Sequence, residues 1–179
     1  SPSYDHWGGN RVGDNLFGNC ILALNANTGE RIWHFQTVHH DLWDYDIPCP
    51  PNLVKVKTKG KLVKAIAQPT KTGQLFVLDR LTGIPIYPVK EIPVPQSKIP
   101  GEFSSKTQPF TIPELIYGSI TIDENSLNKI EGFENQSIKD SIQNMVYGQL
   151  YIPPSQKPTM VFPQFNGGTD WGGAAYDPI

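Results

Sequence analysis

Cysteine is nearly absent from this chain: Cys20 and Cys49 are its only two in 179 residues. They are too few and too far apart for a disulfide framework or a Cys-x-x-Cys metal site, so both are expected to be plain thiols, buried or half-buried. As such they do not fix the redox compartment. Charge is scarce as well. Only 18% of the residues are Asp, Glu, Lys or Arg, the net charge is −2, and no Lys/Arg run exceeds two. That argues against nucleic acid or an anionic membrane as a partner. No apolar run approaches the roughly 18 residues that mark a membrane-spanning helix. What abounds is turn chemistry: 17 prolines and 16 glycines divide the chain into short strands, which points to an all-β fold.

Strands dominate to about residue 91. "NCILALNA" (19–26) and "RIWHFQ" (31–36) read as strands joined through Asn27, Thr28 and Gly29. "NLVKVKTKGKLVKAIAQ" (52–68) reads as a hairpin turning at Lys59 and Gly60, and "GQLFVLDRLTGIPIYPV" (73–89) as strand, turn, strand. The Pro-rich stretch 89–113 is expected to be an extended surface excursion, because each proline removes a ladder donor. Two short helices follow. Asp123 caps the one in "TIDENSLNKI", and "NQSIKDSIQNMV" places Ile138, Ile142 and Met145 on one face, so both are expected to lie as a flap over the β-core. "TMVFPQF" and "WGGAAYDP" look strand-like around the Gly-rich "NGGTD".

An internal repeat sharpens the fold. "LNANTGERIW" (24–33) aligns without a gap with "LDRLTGIPIY" (78–87), 54 residues on: Leu24 with Leu78, Asn25 with Asp79, Thr28 with Thr82, Gly29 with Gly83 and Trp33 with Tyr87. Multi-strand repeats of such length mean a β-propeller or a similar array, in which each blade buries its faces against its neighbours. The Asx/Thr/Gly cluster makes the tight turn, and the aromatic that follows wedges between blades. On this reading the chain holds two to three blades of a larger ring.

The residues now resemble a known family. "ALNANTGERIW" looks like the tryptophan-docking repeat of the eight-bladed pyrroloquinoline quinone (PQQ) dehydrogenases, with Asn25 where Asp is usual. "WHFQTVHHDLWDYDIP" resembles the segment carrying that family's catalytic aspartate, "QPTKTGQLFVLDRLTGIPIYPV" the next segment, and "WGGAAYDP" a later blade. The resemblance covers nearly all of 1–179, most weakly about 114–148, and its wording is closer to the glucose-dehydrogenase branch than to the methanol-dehydrogenase branch. It implies one partial propeller domain over 1–179 with an excursion at about 90–158.

The resemblance also implies a site. Asp44 would be the base that takes the substrate hydroxyl proton, lying beside a divalent cation whose charge holds it ionised. Lys71 would hydrogen-bond the reacting quinone oxygen and stabilise the charge developing there. Asp46 would be a further metal ligand. Its presence does not identify the metal, which is calcium or magnesium with a lanthanide as the alternative. Asp170 and Trp171 would contact PQQ, with glycines beside them that let the backbone approach it closely. "GGNRVGDN" (8–15) resembles the loop after a metal-ligating Asn that falls before Ser1.

The neighbours are read more plainly. Asp41 orders the loop, and Trp33, Trp43 and Tyr45 pack. His39 and His40 flank a substrate mouth or, with His34 and Asp41, offer zinc-type ligands, against which stands the common use of loop histidines to bond backbone. The resulting expectation is a fragment of a periplasmic PQQ-dependent dehydrogenase for a sugar or other alcohol. Electrons would leave to ubiquinone or a cytochrome, and any membrane attachment would come from regions outside this chain. The isolated chain is expected to be inactive and to associate with the rest of the propeller or with itself. The alternative is a cofactor-free propeller scaffold for protein assembly, which has no need for an acid and a lysine 27 residues apart.

Overall fold

The computed structural model describes residues 2, 6–127, 129 and 136–178. Its centre is a meander of three antiparallel strands, β3 (Asn52–Thr58), β4 (Lys61–Pro69) and β5 (Leu75–Asp79), preceded by the hairpin of β1 (Cys20–Leu24) and β2 (Arg31–Gln36). These are the strands that the alternating apolar pattern predicts. Lys55 pairs with Lys64 and Val56 with Val63 across β3 and β4, so these two lysines lie on one face and the two valines on the other. Lys59 and Gly60 close that hairpin with positive φ of 47° and 75°, the geometry of a tight two-residue turn.

β4 and β5 are covered on both faces. Ile66, Phe76 and Leu78 pack with Ile21, Trp33 and Phe35 of the first hairpin, while Ala65 and Val77 meet Val54, with Ile86 and Tyr87 beside them. The repeated turns are built alike. Asn25 Oδ1 accepts the N–H groups of Asn27 and Thr28, and Asp79 Oδ1 accepts those of Leu81 and Thr82. Gly29 and Gly83 donate to the carbonyls of Asn25 and Asp79 at 2.8 and 2.9 Å, with φ of 73° and 72°. Asn therefore closes the turn as Asp does. A Cβ on Gly83 would lie 2.6 Å from the Trp33 ring, so the aromatic of one repeat is seated on the turn glycine of the next.

Elsewhere the structure departs from expectation. The Pro-rich stretch contains a hairpin, β6 (Lys90–Pro93) with β7 (Thr107–Phe110), and Gln108 and Pro109 on β7 are buried. Its prolines do not break the ladder, because Pro93 and Pro109 share a parity at which the backbone N–H turns away from the partner. The bonded parity continues in Val94 N–H to Lys106 C=O at 3.1 Å. The strand expected after residue 83 is reduced to a bridge between Leu78 and Pro85.

Asp123 does cap α1 (Glu124–Leu127), accepting Ser126 N–H at 2.7 Å, although the expected helix also runs onto residues 128 and 130, outside the described residues. α1 buries Leu127. α2 (Gln136–Gln143) buries nothing, so the expected flap is not formed by this helix. "TMVFPQF" forms only a bridge of Thr159 to Val146, and "WGGAAYDP" forms no strand. The latter lies along β3 through side-chain bonds, with Asn52 Nδ2 donating to Ala174 C=O and Tyr176 Oη bonded to the Lys55 backbone. Without a backbone ladder the segment is extended but not a strand.

Candidate active site

The opening of the 37–46 loop is set by backbone bonds rather than by metal ligands. Both ring nitrogens of the buried His40 face carbonyl oxygens, Gly13 at 2.6 Å and Gly8 at 3.0 Å. His39 is bracketed by Gln108, which accepts its N–H and donates to its C=O, and its ring meets Gln36 and Glu91. Among the described residues no group of three or more His, Cys, Asp or Glu side chains is placed to hold a metal ion, so His34, His39, His40 and Asp41 form no zinc site.

Asp41 orders the loop as expected. Its Oδ1 accepts Trp43 N–H at 2.8 Å and its Oδ2 accepts Asn19 Nδ2–H at 2.9 Å. Burial outweighs those bonds and pushes the Asp41 carboxyl up to about 6. Trp43 and Tyr45 then alternate inward. They stack on each other with centroids 5.8 Å apart, and Tyr151 meets both edge-on. Each polar tip is satisfied, Trp43 Nε1–H by Ile152 C=O and Tyr45 O–H by Pro163 C=O, both at 2.7 Å. These rings are core, not a substrate platform.

With the aromatics inside, Asp44 and Asp46 are left on the other side of the loop, and both reach Lys71. Its Nζ lies 3.3 Å from Asp44 Oδ2 and 3.0 Å from the Asp44 carbonyl oxygen, and it forms an ion pair with Asp46 Oδ1. Asp44 has a φ of 59°, a left-handed conformation that Asp tolerates better than most residues and that costs about 1–2 kcal/mol. Strain of this kind is held in place by the surrounding bonds. The Lys71 side chain is 7% exposed, against 30% for Asp44 and 26% for Asp46. Loss of solvation works against the Lys71 charge, but the carboxylates of Asp46 and Asp44 outweigh it and hold Lys71 above the usual lysine range.

The site thus brings together Asp44, Asp46 and Lys71. Asp170 accepts Trp171 N–H at 2.8 Å, and its carbonyl accepts Gly173 N–H, as a turn acid does. Trp171 is 80% exposed. No described hydrogen bond joins either residue to Lys71. The glycines just before them do approach closely, but what they approach is Lys71 itself: Gly168 N–H donates to Lys71 C=O at 2.7 Å, and a Cβ on Gly167 would lie 2.3 Å from Lys71 Cβ. Tyr117 and Gln108, which brace this region, carry no motif. The only signal the sequence offered was the Gly-Gly pair at 167–168.

Two carboxylates are hard oxygen donors of the kind that calcium, magnesium and lanthanides take. Asp46 Oδ1 is buried against Lys71 Nζ, and a carboxylate oxygen has a second lone pair that can take a cation. The pair fits part of such a coordination shell, the remaining ligands coming from outside it. Lys71, a buried donor aimed at the same spot, fits an anionic or carbonyl oxygen of a cofactor.

Comparison with known proteins gives this arrangement a context. Residues 1–179 match the family model "PQQ: Glucose/ethanol/alcohol dehydrogenase, beta-propeller domain". The chain is 45% identical over 182 aligned positions to the quinoprotein glucose dehydrogenase of Gluconobacter oxydans and 42% over 181 to quinoprotein glucose dehydrogenase A of Acinetobacter calcoaceticus. It is 40% identical over 180 to the quinate/shikimate dehydrogenase (quinone) of Acinetobacter baylyi. These alignments cover 97%, 97% and 99% of this chain and 22% of each relative, so the chain spans about a fifth of their length.

Proposed function

This chain belongs to the glucose/ethanol/alcohol dehydrogenase β-propeller family of PQQ proteins, and from that premise we propose that it supplies the proton-accepting side of a PQQ-dependent dehydrogenase for a sugar or another alcohol. The observation that carries the reading is the convergence of Asp44 and Asp46 on one nearly buried lysine, Lys71. Holding three ionised groups in a half-buried loop costs desolvation energy that a scaffold has no reason to retain. The cofactor-free alternative loses on that point.

In this reading Asp44 Oδ2 takes the proton from the substrate hydroxyl. It must be ionised to do so, and the Lys71 ammonium 3.3 Å away supplies the neutralising charge. Lys71 carries three donors, which face the Asp44 carbonyl, Asp44 Oδ2 and Asp46 Oδ1 in this structure; one of them would turn to the quinone when PQQ is bound. When bound, PQQ supplies a quinone that accepts hydride, and calcium, magnesium or a lanthanide supplies a Lewis acid. Asp44 and Asp46 would hold the metal, and Lys71, with Asp170 and Trp171 at the margin, would hold the quinone. The chain would contribute two to three blades to an eight-bladed ring in the periplasm, passing electrons to ubiquinone or a cytochrome.

The test uses the full-length protein containing this chain, loaded with PQQ and calcium and supplied with a dye acceptor. Glucose, quinate, glycerol and ethanol are the substrates. At least one is expected to turn over, and Asp44→Asn is expected to lower kcat by about 10²–10⁴. PQQ-dependent turnover that survives this substitution at the wild-type rate, or no turnover on any of the four, would sink the assignment.

A further inference from the structure

The turn that carries Lys71 is held from several sides. Gly73 N–H closes it onto Thr70 C=O at 3.1 Å, and the N–H groups of Tyr117 and Gly118 both donate to Gly73 C=O, at 2.9 and 3.1 Å. The Tyr117 side chain adds a contact of another kind. Its hydroxyl lies 2.6 Å from Thr70 C=O, 3.0 Å from Thr70 N and 2.7 Å from Thr169 Oγ1. A phenol has one proton to give and an oxygen that can accept. The consistent assignment is that Tyr117 donates to Thr70 C=O and accepts from Thr70 N–H and the Thr169 hydroxyl. Burial holds the Tyr117 hydroxyl above the usual tyrosine range, so it stays a donor. The residue as a whole is 49% exposed, so its contribution lies in the hydroxyl more than in ring packing.

We propose that Tyr117 is a positioning residue for Lys71. Its hydroxyl fixes both backbone groups of the residue just before the lysine and ties them, through Thr169, to the loop whose glycines lie on the Lys71 backbone. Three segments distant in sequence thereby set the direction in which the Lys71 side chain leaves its turn. The functional consequence rests on the dehydrogenase reading; the geometric one does not. Tyr176 provides an internal control, because its hydroxyl makes the same kind of two-point contact with the backbone of Lys55, which takes no part in the site.

The experiment compares wild type, Tyr117→Phe, Thr169→Val and Tyr176→Phe in the full-length protein. The first readout needs no cofactor: acylation of each lysine by an amine-reactive acetyl ester, followed by mass spectrometry on the cofactor-free protein. A positioned, ion-paired Lys71 is slow to react. Tyr117→Phe is expected to raise its rate about fivefold or more, and Thr169→Val to raise it less. Lys55 and Lys64 should be unchanged in both, and Tyr176→Phe should leave Lys71 unchanged. In the loaded protein, Tyr117→Phe is expected to lower kcat about tenfold with KM within about twofold. Unchanged Lys71 acylation in both Tyr117→Phe and Thr169→Val would overturn the proposal, whatever happens to kcat. Raised acylation in a protein without PQQ-dependent turnover would uphold the role of Tyr117 and reject the dehydrogenase reading instead.

Discussion

Replacing Lys71 by methionine keeps most of the side chain's length and removes only its charge and donors. The structure sets the size of the effect. Breaking a fully buried ion pair by deleting one partner costs about 3–5 kcal/mol. Lys71 is buried to that degree, but about a quarter to a third of each carboxylate remains accessible, so hydration recovers part of the loss and about 1–3 kcal/mol is expected. The loss should be shared with the partners. In a double-mutant cycle with Asp46→Asn, the two substitutions should couple by about 1 kcal/mol or more. The assay is urea unfolding of the full-length protein followed by tryptophan fluorescence, with an unchanged m-value as the condition for comparison. Because Lys71 is held above the usual lysine range, its contribution is fully present below the unfolded lysine value of 10.5 and is lost as pH rises through the higher folded value. Lys71→Met should remove that alkaline loss. Additivity within about 0.5 kcal/mol in the cycle would show that the three groups do not form a coupled cluster.

Gly167 and Asp41 are open to similar tests. Gly167→Ala would place a methyl 2.3 Å from Lys71 Cβ at a φ of +68°, so the loop must back away and Gly168 must release Lys71 C=O. About 2–4 kcal/mol of destabilisation is expected from strain, clash and lost bond, read by urea unfolding, together with faster Lys71 acylation; a neutral outcome would show that the contact is dispensable. Asp41 has the opposite pH sign to an ordinary ion-paired carboxylate. Its folded value of about 6 exceeds the unfolded 3.8, so its stabilisation is complete below about pH 4 and is lost as pH rises to about 6. Asp41→Asn should flatten that decline, since rotating the Asn19 amide would bring its unpartnered Oδ1 opposite the new donor. Thermal melting at pH 4.5 and 7 checks it, and an unchanged slope would remove Asp41 as its source.

What the sequence made legible was local and repetitive. The 54-residue repeat read correctly because each Asx side chain closes its own turn, and Asn25 and Asp79 do this with the same bonds. Alternation read β3 and β4 correctly for a similar reason. Asp44 and Lys71 were named through resemblance, and the structure brings their side chains together with Asp46. The remainder depended on non-local partners. Pro93 and Pro109 were misjudged because register, which decides whether a missing N–H matters, is not visible in composition. Tyr117 and Gln108 act on backbone 47 and 69 residues away, and no spacing announces that.

The central claim is that Asp44 belongs to a PQQ and metal site, and a PQQ titration tests it most directly. The full-length protein is titrated with PQQ, with and without calcium, while tryptophan fluorescence is followed; Asp44→Ala is run in parallel. The account predicts saturable quenching that calcium tightens in the wild type, and loss of that calcium dependence in Asp44→Ala. Absence of PQQ binding in the wild type, or a calcium dependence that survives the substitution, would contradict it.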